Sequence, residues 1–159
     1  MGIKLLSALI LGKSISFLTK VFKIGGGSAA PGYYALKLDP DLVSKLASKI
    51  PINIIITGTN GKTTTARMIA HFAKEAKLKV VRNHTGSNLE RGIASALIDG
   101  VNLFHPWGGV DRHLGIWEID EAAFNSVAPK LKPNMVVILN VYRDQLDRYG
   151  EVDSIVKNW

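Results

Sequence analysis

The sequence predicts an α/β fold: a parallel sheet flanked by helices, with one further helix in front of it. Three observations predict it. The β-branched run Ile52-Asn53-Ile54-Ile55-Ile56 leads into Thr57-Gly58-Thr59-Asn60-Gly61-Lys62-Thr63-Thr64-Thr65, and a helical pattern follows. Strand-like and helix-like segments alternate from Ile52 onward, which calls for parallel strands with helices on both faces. Apolar residues make up 47% of 159 positions, enough for the core of one domain.

Residues 1–24 read as an amphipathic helix, expected over residues 3–23. Ile3, Leu5, Leu6, Leu9 and Ile10 are apolar all round the helical wheel. From residue 11, Leu11, Ile15, Leu18, Val21 and Phe22 share one face, and Lys13, Ser16, Thr19, Lys20 and Lys23 share the other. Lys13 interrupts the apolar run, which argues against a membrane span, and no small-residue cleavage site follows Gly12 to suit a signal peptide. The expectation is a helix packed on its own domain, with membrane-surface or partner docking as the alternative.

Residues 25–50 read as a glycine-rich linker and a short helix. Gly25-Gly26-Gly27-Ser28-Ala29-Ala30-Pro31-Gly32 is the linker or tight loop. Asp39-Pro40 is the expected helix start, with Asp39 as N-cap, and Leu42, Val43, Leu46 and Ile50 form the apolar face. Residues 51–159 hold the alternating part. Strands are expected at Ile52–Thr57, Lys79–Arg82, Leu114–Ile119 and Met135–Asn140. Helices are expected at Lys62–Ala76, with Ile69, Phe72, Ala73 and Ala76 inward, at Leu89–Ile98, and at Glu121–Ala128. Residues 99–113 read as an irregular loop. Trp159 falls inside a further helix starting at Asp153, where nucleotide-binding sheets usually continue, so the expectation is the N-terminal part of a larger domain.

The net charge of +7 is unevenly placed. The first 38 residues carry Lys4, Lys13, Lys20, Lys23 and Lys37 and no acid; the other 15 basic residues nearly balance 13 acidic ones. A basic, apolar N-terminus suits an anionic membrane surface better than nucleic acid, and the body has no basic stripe interleaved with aromatics. No nucleic-acid partner is expected. With no Cys there is no disulfide framework, which fits a cytoplasmic placement, peripheral at the inner face of the membrane if the N-terminal helix docks there.

A strand, a glycine-containing turn and a Lys-Thr-Thr helix start form a P-loop-type arrangement. The glycines let backbone N–H groups approach phosphate, Lys62 reaches the β- and γ-phosphates, and the Thr63 hydroxyl can ligate Mg²⁺. The string departs from G-x-x-x-x-G-K-[ST]: Ile56 stands at the first glycine, and Gly58 and Gly61 are the usable ones. Glu118-Ile119-Asp120-Glu121 closes an apolar strand at its carboxyl end, where ligands of parallel sheets bind. Glu118 is the preferred Mg²⁺ ligand, with Asp120 or Glu121 capping the next helix; the alternative is three acids at a helix start. Asn83-His84-Thr85-Gly86-Ser87-Asn88 either meets a substrate or forms a turn capped by Ser87 or Asn88. The string Asn140-Val141-Tyr142-Arg143-Asp144-Gln145-Leu146-Asp147-Arg148-Tyr149-Gly150 also follows a strand end. His71, His84, His105 and His113 match no zinc spacing, and no nucleophile elbow is present.

Together these strings resemble the Mur ligase family, and within it the MurT-type subunits of lipid II isoglutaminyl synthases. The resemblance is carried by Gly25–Ser28 with Pro31-Gly32, Ala35-Leu36-Lys37-Leu38-Asp39-Pro40, Thr57–Thr65, Gly86-Ser87-Asn88-Leu89 with Gly92-Ile93, Trp117–Ala122, and Asn140 through Asp153. It implies the Mur ligase central domain, with ATP and Mg²⁺ as cofactors. It implies activation of the α-carboxylate of D-glutamate in the lipid II stem peptide, through an acyl phosphate. A GatD-like glutaminase supplies ammonia, and D-isoglutamine, ADP and phosphate are formed. By the same resemblance Lys62 and Glu118 are catalytic, and Thr63 and Glu118 hold the metal. Gly58, Thr59, Asn60, Gly61, Lys62, Thr63, Thr64 and Asn140 contact the nucleotide. Asn83, Ser87 and Asn88 lie toward the substrate.

Two departures qualify the resemblance. Gln145 stands where amino-acid-adding members carry a His for a second Mg²⁺, which favours the MurT-type branch. Lys157 does not match the family's carbamylated Lys. The resemblance also implies a zinc ribbon, the rest of the central domain and a C-terminal domain, so this chain alone is expected to bind nucleotide weakly without turnover. The alternatives are another ADP-forming Mur-type ligase, a folylpolyglutamate synthase-like ligase, or a non-catalytic nucleotide-binding fragment.

Overall fold

The computed structural model describes residues 2–22, 29–83, 87–101 and 113–140. The element order is α1 (Ile3–Val21), α2 (Ala30–Leu38), α3 (Leu42–Ala47), β1 (Ile52–Thr57), α4 (Lys62–Glu75), β2 (Lys79–Arg82), α5 (Glu90–Gly100), β3 (His113–Glu118), a 3-10 turn (Glu121–Ala123), α6 (Phe124–Leu131) and β4 (Met135–Ile138). The four strands are parallel in the order β2-β3-β1-β4. All carboxyl ends therefore lie along one rim, where β1 delivers the glycine loop and β3 delivers Glu118.

Strand alternation sorts the core into two layers. On one face Ile55, Val81 and Trp117 pack with α1, α2, α3, α5 and α6. On the other, Ile54, Ile56, Leu114 and Ile116 pack with Ala66, Ala70 and Ala73 of α4. Trp117 is fully buried, and its indole Nε1 donates to Asn53 Oδ1 at 2.8 Å. The indole lies against Gly115, where a Cβ would stand 2.7 Å from the ring.

Helices on both faces and the strand positions agree with the sequence reading; several helix details do not. Ala30–Leu38, partly assigned to a linker, is helical, with Pro31 in its first turn. Gly32 explains this: its N–H donates to Ser95 Oγ at 2.8 Å, and a Cβ there would meet Arg91 O at 2.0 Å. Packing against α5 thus overrides the Pro-Gly signal. Asp39 Oδ1 accepts from Asp41 N–H at 3.2 Å, as an N-cap does, but Pro40 and Asp41 form a turn and not the first helical residues. The short helix begins at Leu42 after Asp41, and Asp39 is buried against Lys45 at 2.7 Å. The hydrogen bond to Asp39 raises the Lys45 ammonium above its ordinary range. In α4, Phe72 and Ala76 face solvent instead of the core; the alanine row at 66, 70 and 73 lets the helix sit close to the sheet. The helix expected at Glu121–Ala128 starts as a 3-10 turn and continues to Leu131.

The N-terminal helix packs on α2 and α5 through a face other than the expected stripe. Ala8, Leu9, Gly12 and Ser16 are buried, while Leu18, Val21 and Phe22 are exposed. Close approach selects this face, because a Cβ on Gly12 would stand 2.7 Å from Ile98. No helix of the described residues is long and apolar enough to cross a membrane.

Candidate nucleotide-binding site

The loop between β1 and α4 is built on two glycines with positive φ. Gly58 sits at +121° and Gly61, the N-cap of α4, at +89°. No side chain caps α4, and its first helical bond runs from Thr65 N–H to Gly61 O. The amides before Thr65 have no partner within the helix, which makes this terminus suited to an anion. Thr63 and Thr64 stand exposed in its first turn.

Asn140 clasps this loop from the end of β4. Thr59 N–H donates to Asn140 O at 2.8 Å, Asn60 N–H to Asn140 Oδ1 at 2.9 Å, and Asn140 Nδ2 donates back to Asn60 O at 3.1 Å. Gly58 is needed for this approach, since a Cβ there would lie 2.7 Å from Asn140 O. Asn140 thus acts on the loop's backbone as well as lying at its mouth. Gly58→Ala is expected to weaken ATP binding measured by calorimetry and to lower stability by about 1–3 kcal/mol.

Lys62 is buried and folded back. Its ammonium donates to Gly58 O and Thr59 O, and it stands 3.6 Å from Asp120 and 3.8 Å from Glu121. Glu121 also accepts a hydrogen bond from Thr59 Oγ1 at 3.0 Å. Asp120 and Glu121 therefore face the loop lysine, and neither carboxylate caps the following turn as the sequence reading expected. The acids were visible in the sequence; their direction was set by the turn after Ile119.

Glu118 and Thr63 meet as expected. Thr63 Oγ1 donates to Glu118 Oε2 at 2.6 Å. Glu118 is 2% exposed, and its Oε1 has no hydrogen-bond partner among the described residues. A buried carboxylate oxygen without a donor is costly unless a cation takes it up. One carboxylate and one hydroxyl at the phosphate end of a loop fit Mg²⁺, which takes few protein ligands and completes its shell with phosphate and water. Among the described residues no group of three or more acidic or His side chains forms a metal cage.

Of the remaining expected residues, Asn83 holds the Glu118 backbone. Asn83 Nδ2 donates to Glu118 O at 2.7 Å and to Ser87 O at 3.1 Å, and Asn83 Oδ1 accepts from Glu118 N–H at 2.9 Å. Asn83 is itself buried, a role that sequence reasoning missed. Asn88 Nδ2 donates to Asp120 Oδ1 at 3.2 Å. Neither Ser87 nor Asn88 caps α5, whose N-cap is Leu89. His84, Gly86, Gln145, the rest of 141–151 and Lys157 lie outside the described residues.

Comparison with known proteins matches this chain to one family. The Mur ligase middle domain matches residues 56–158. The chain is 37% identical over 132 residues to "Lipid II isoglutaminyl synthase (glutamine-hydrolyzing) subunit MurT" of Staphylococcus aureus (strain COL), covering 83% of this chain and 29% of that protein. It is 34% identical over 152 residues to the subunit of the same name from Streptococcus pneumoniae (strain ATCC BAA-255 / R6), covering 96% of this chain and 32% of the relative. The chain thus spans about a third of the length of these curated relatives. Among solved structures, MurF from Acinetobacter baumannii matches in fold with a TM-score of 0.59 at 19% identity, over 78% of this chain and 26% of that one. The middle-domain match spans the glycine loop, Glu118 and Asn140, and the chain belongs to the Mur ligase family.

Proposed function

We propose that this chain binds MgATP as the nucleotide-binding part of a ligase that amidates the α-carboxylate of D-glutamate in the lipid II stem peptide. The observation that carries the MgATP reading is the Thr63–Glu118 pair with its free buried oxygen, facing an uncapped helix start. The substrate and a GatD-like glutaminase as ammonia source rest on the names of the MurT relatives and on the matched stretches of sequence.

The chain's residues divide the work by position. Loop amides and the start of α4 cradle the triphosphate. Lys62 exchanges the carbonyls of Gly58 and Thr59 for oxygens of the γ-phosphate and follows that charge during transfer. Thr63 and Glu118 would hold Mg²⁺, which would supply neutralisation of the triphosphate's charge. The substrate carboxylate oxygen attacks the γ-phosphorus, the bond to the β-bridging oxygen breaks, and ADP leaves. Ammonia then attacks the acyl carbon, phosphate departs with the C–O bond electrons, and the nitrogen loses a proton to give the amide. Asn83 keeps Glu118 aimed throughout by holding both its backbone groups.

The metal role is tested by Glu118→Gln. Its amide cannot replace the carboxylate charge, so ATP affinity in Mg²⁺ is expected to fall by roughly tenfold or more while affinity in EDTA stays the same. Equal losses in both buffers would show that Glu118 only shapes the loop. The amidation reading is tested by supplying lipid II, ATP, Mg²⁺, glutamine and a glutaminase, with conversion of the glutamate carboxylate to the amide read by mass spectrometry. Extension of the stem by an added amino acid instead would favour a Mur-type amino-acid ligase, the reading suggested by the 32% identity to UDP-N-acetylmuramoylalanine–D-glutamate ligase of Caulobacter sp. (strain K31).

A further inference from the structure

We propose that α1 rests on an anionic lipid surface, with the face turned away from the domain set among the headgroups. The helix is 19 residues long and buries its small-residue side, Ala8, Gly12 and Ser16 with Leu9, against α2 and α5. This turns large apolar residues outward. Ile3, Ile10 and Phe17, seven residues apart, line up along the opposite side and are 85%, 50% and 66% exposed. Leu6 and Val21 widen the same stripe. On the wheel, Lys13 and Lys20 flank it on one side and Lys4 on the other.

An apolar centre between lysine flanks is the pattern of a helix lying in a membrane interface. The neighbouring helix repeats the chemistry. Tyr33 and Tyr34 are exposed on α2, their rings edge to face at 5.2 Å, and Lys37 Nζ stands 4.6 Å over the Tyr33 ring. Tyrosine and lysine side chains both favour the headgroup level.

Charge selects the occupant. The first 38 residues contain no acid, so a second copy of this face would bring lysine rows together, whereas anionic headgroups complement them. Lys20 is partly committed to Asp99 at 3.0 Å and Lys13 is half-buried near the same carboxylate, which leaves Lys4 and Lys37 as the main contributors. The apolar stripe has no use on nucleic acid. The helix lies on the bilayer and does not span it.

The proposal does not rest on the ligase reading, and its test contains no ATP or ligase substrate. The 159-residue chain is sedimented with phosphatidylcholine vesicles with and without phosphatidylglycerol. Binding is expected only with the anionic lipid, weakening as salt rises. Phe17→Ser and the pair Lys4→Glu/Lys37→Glu are each expected to weaken it roughly tenfold, with unchanged thermal melting because these side chains are exposed. Absence of binding, equal binding to both vesicle types, or equal binding by the Phe17→Ser variant would overturn the proposal. Self-association of the chain abolished by Phe17→Ser, without vesicle binding, would assign the face to a second copy.

Discussion

Lys62→Met is expected to weaken ATP and ADP binding by at least roughly tenfold, leave adenosine binding unchanged, and lower the ligase rate by a factor of about 10²–10³. Methionine keeps an apolar stem in the buried channel and removes the ammonium, so the loop is not emptied. The ammonium is a positively charged donor that can swing onto the γ-phosphate, whereas the amides of the loop and helix start are fixed by the backbone. Its loss also leaves Asp120 and Glu121, at 3.6 and 3.8 Å from the lysine, facing the phosphates without a cation between. Like charges at that range repel, which adds to the loss. The check is calorimetric titration with ATP, ADP and adenosine in the same Mg²⁺ buffer. Equal weakening for adenosine would mean that the substitution distorts the pocket, and unchanged ATP affinity would remove Lys62 from the phosphate site.

How much of this site was legible in the sequence follows from what each residue does. Thr63 and Glu118 were readable because a strand end fixes position along one rim, and both fall there by simple counting from Ile52 and Leu114. The loop glycines were readable because only glycine takes their φ without strain. The resemblance places Asn83 toward a substrate, and local rules give no sign that its amide holds the Glu118 backbone across 35 residues, a pairing set by β2 lying beside β3. Asp120 and Glu121 were assigned to capping because acids often begin helices; the 3-10 turn aims them at Lys62 instead. The helix α2 was missed for a similar reason. Its Pro and Gly are turn residues by local chemistry, and only the contact of Gly32 with α5 makes them helical. Local rules located the glycine loop and the strand-end acids, while strand order and helix contacts decided which polar groups face the loop and which hold the scaffold.

Among the described residues, the largest fully buried side chain of that scaffold is Trp117. Trp117→Ala is expected to cost about 3–5 kcal/mol and lower the melting temperature by roughly 10 °C or more. Trp117 is fully buried, spans the space over Gly115, and immediately precedes Glu118 in β3. Truncation leaves a cavity on the face packed against α1, α2, α3, α5 and α6 and orphans Asn53 Oδ1, which has the indole as its donor at 2.8 Å. Trp117→Phe separates the two losses. It retains most of the ring, so its cost is expected at about 1–2 kcal/mol, mainly the unmade hydrogen bond. The two variants also bear on the site. β3 carries Glu118 one residue later, and its backbone is fixed by Asn83 on one side and by pairing with Ile56 of β1 on the other. A local cavity at Trp117 therefore leaves the Mg²⁺ dependence of ATP binding intact below the melting transition. If Trp117→Ala abolishes that dependence in folded protein, the tryptophan sets the position of Glu118; if it melts early with normal binding, its contribution is to the core alone.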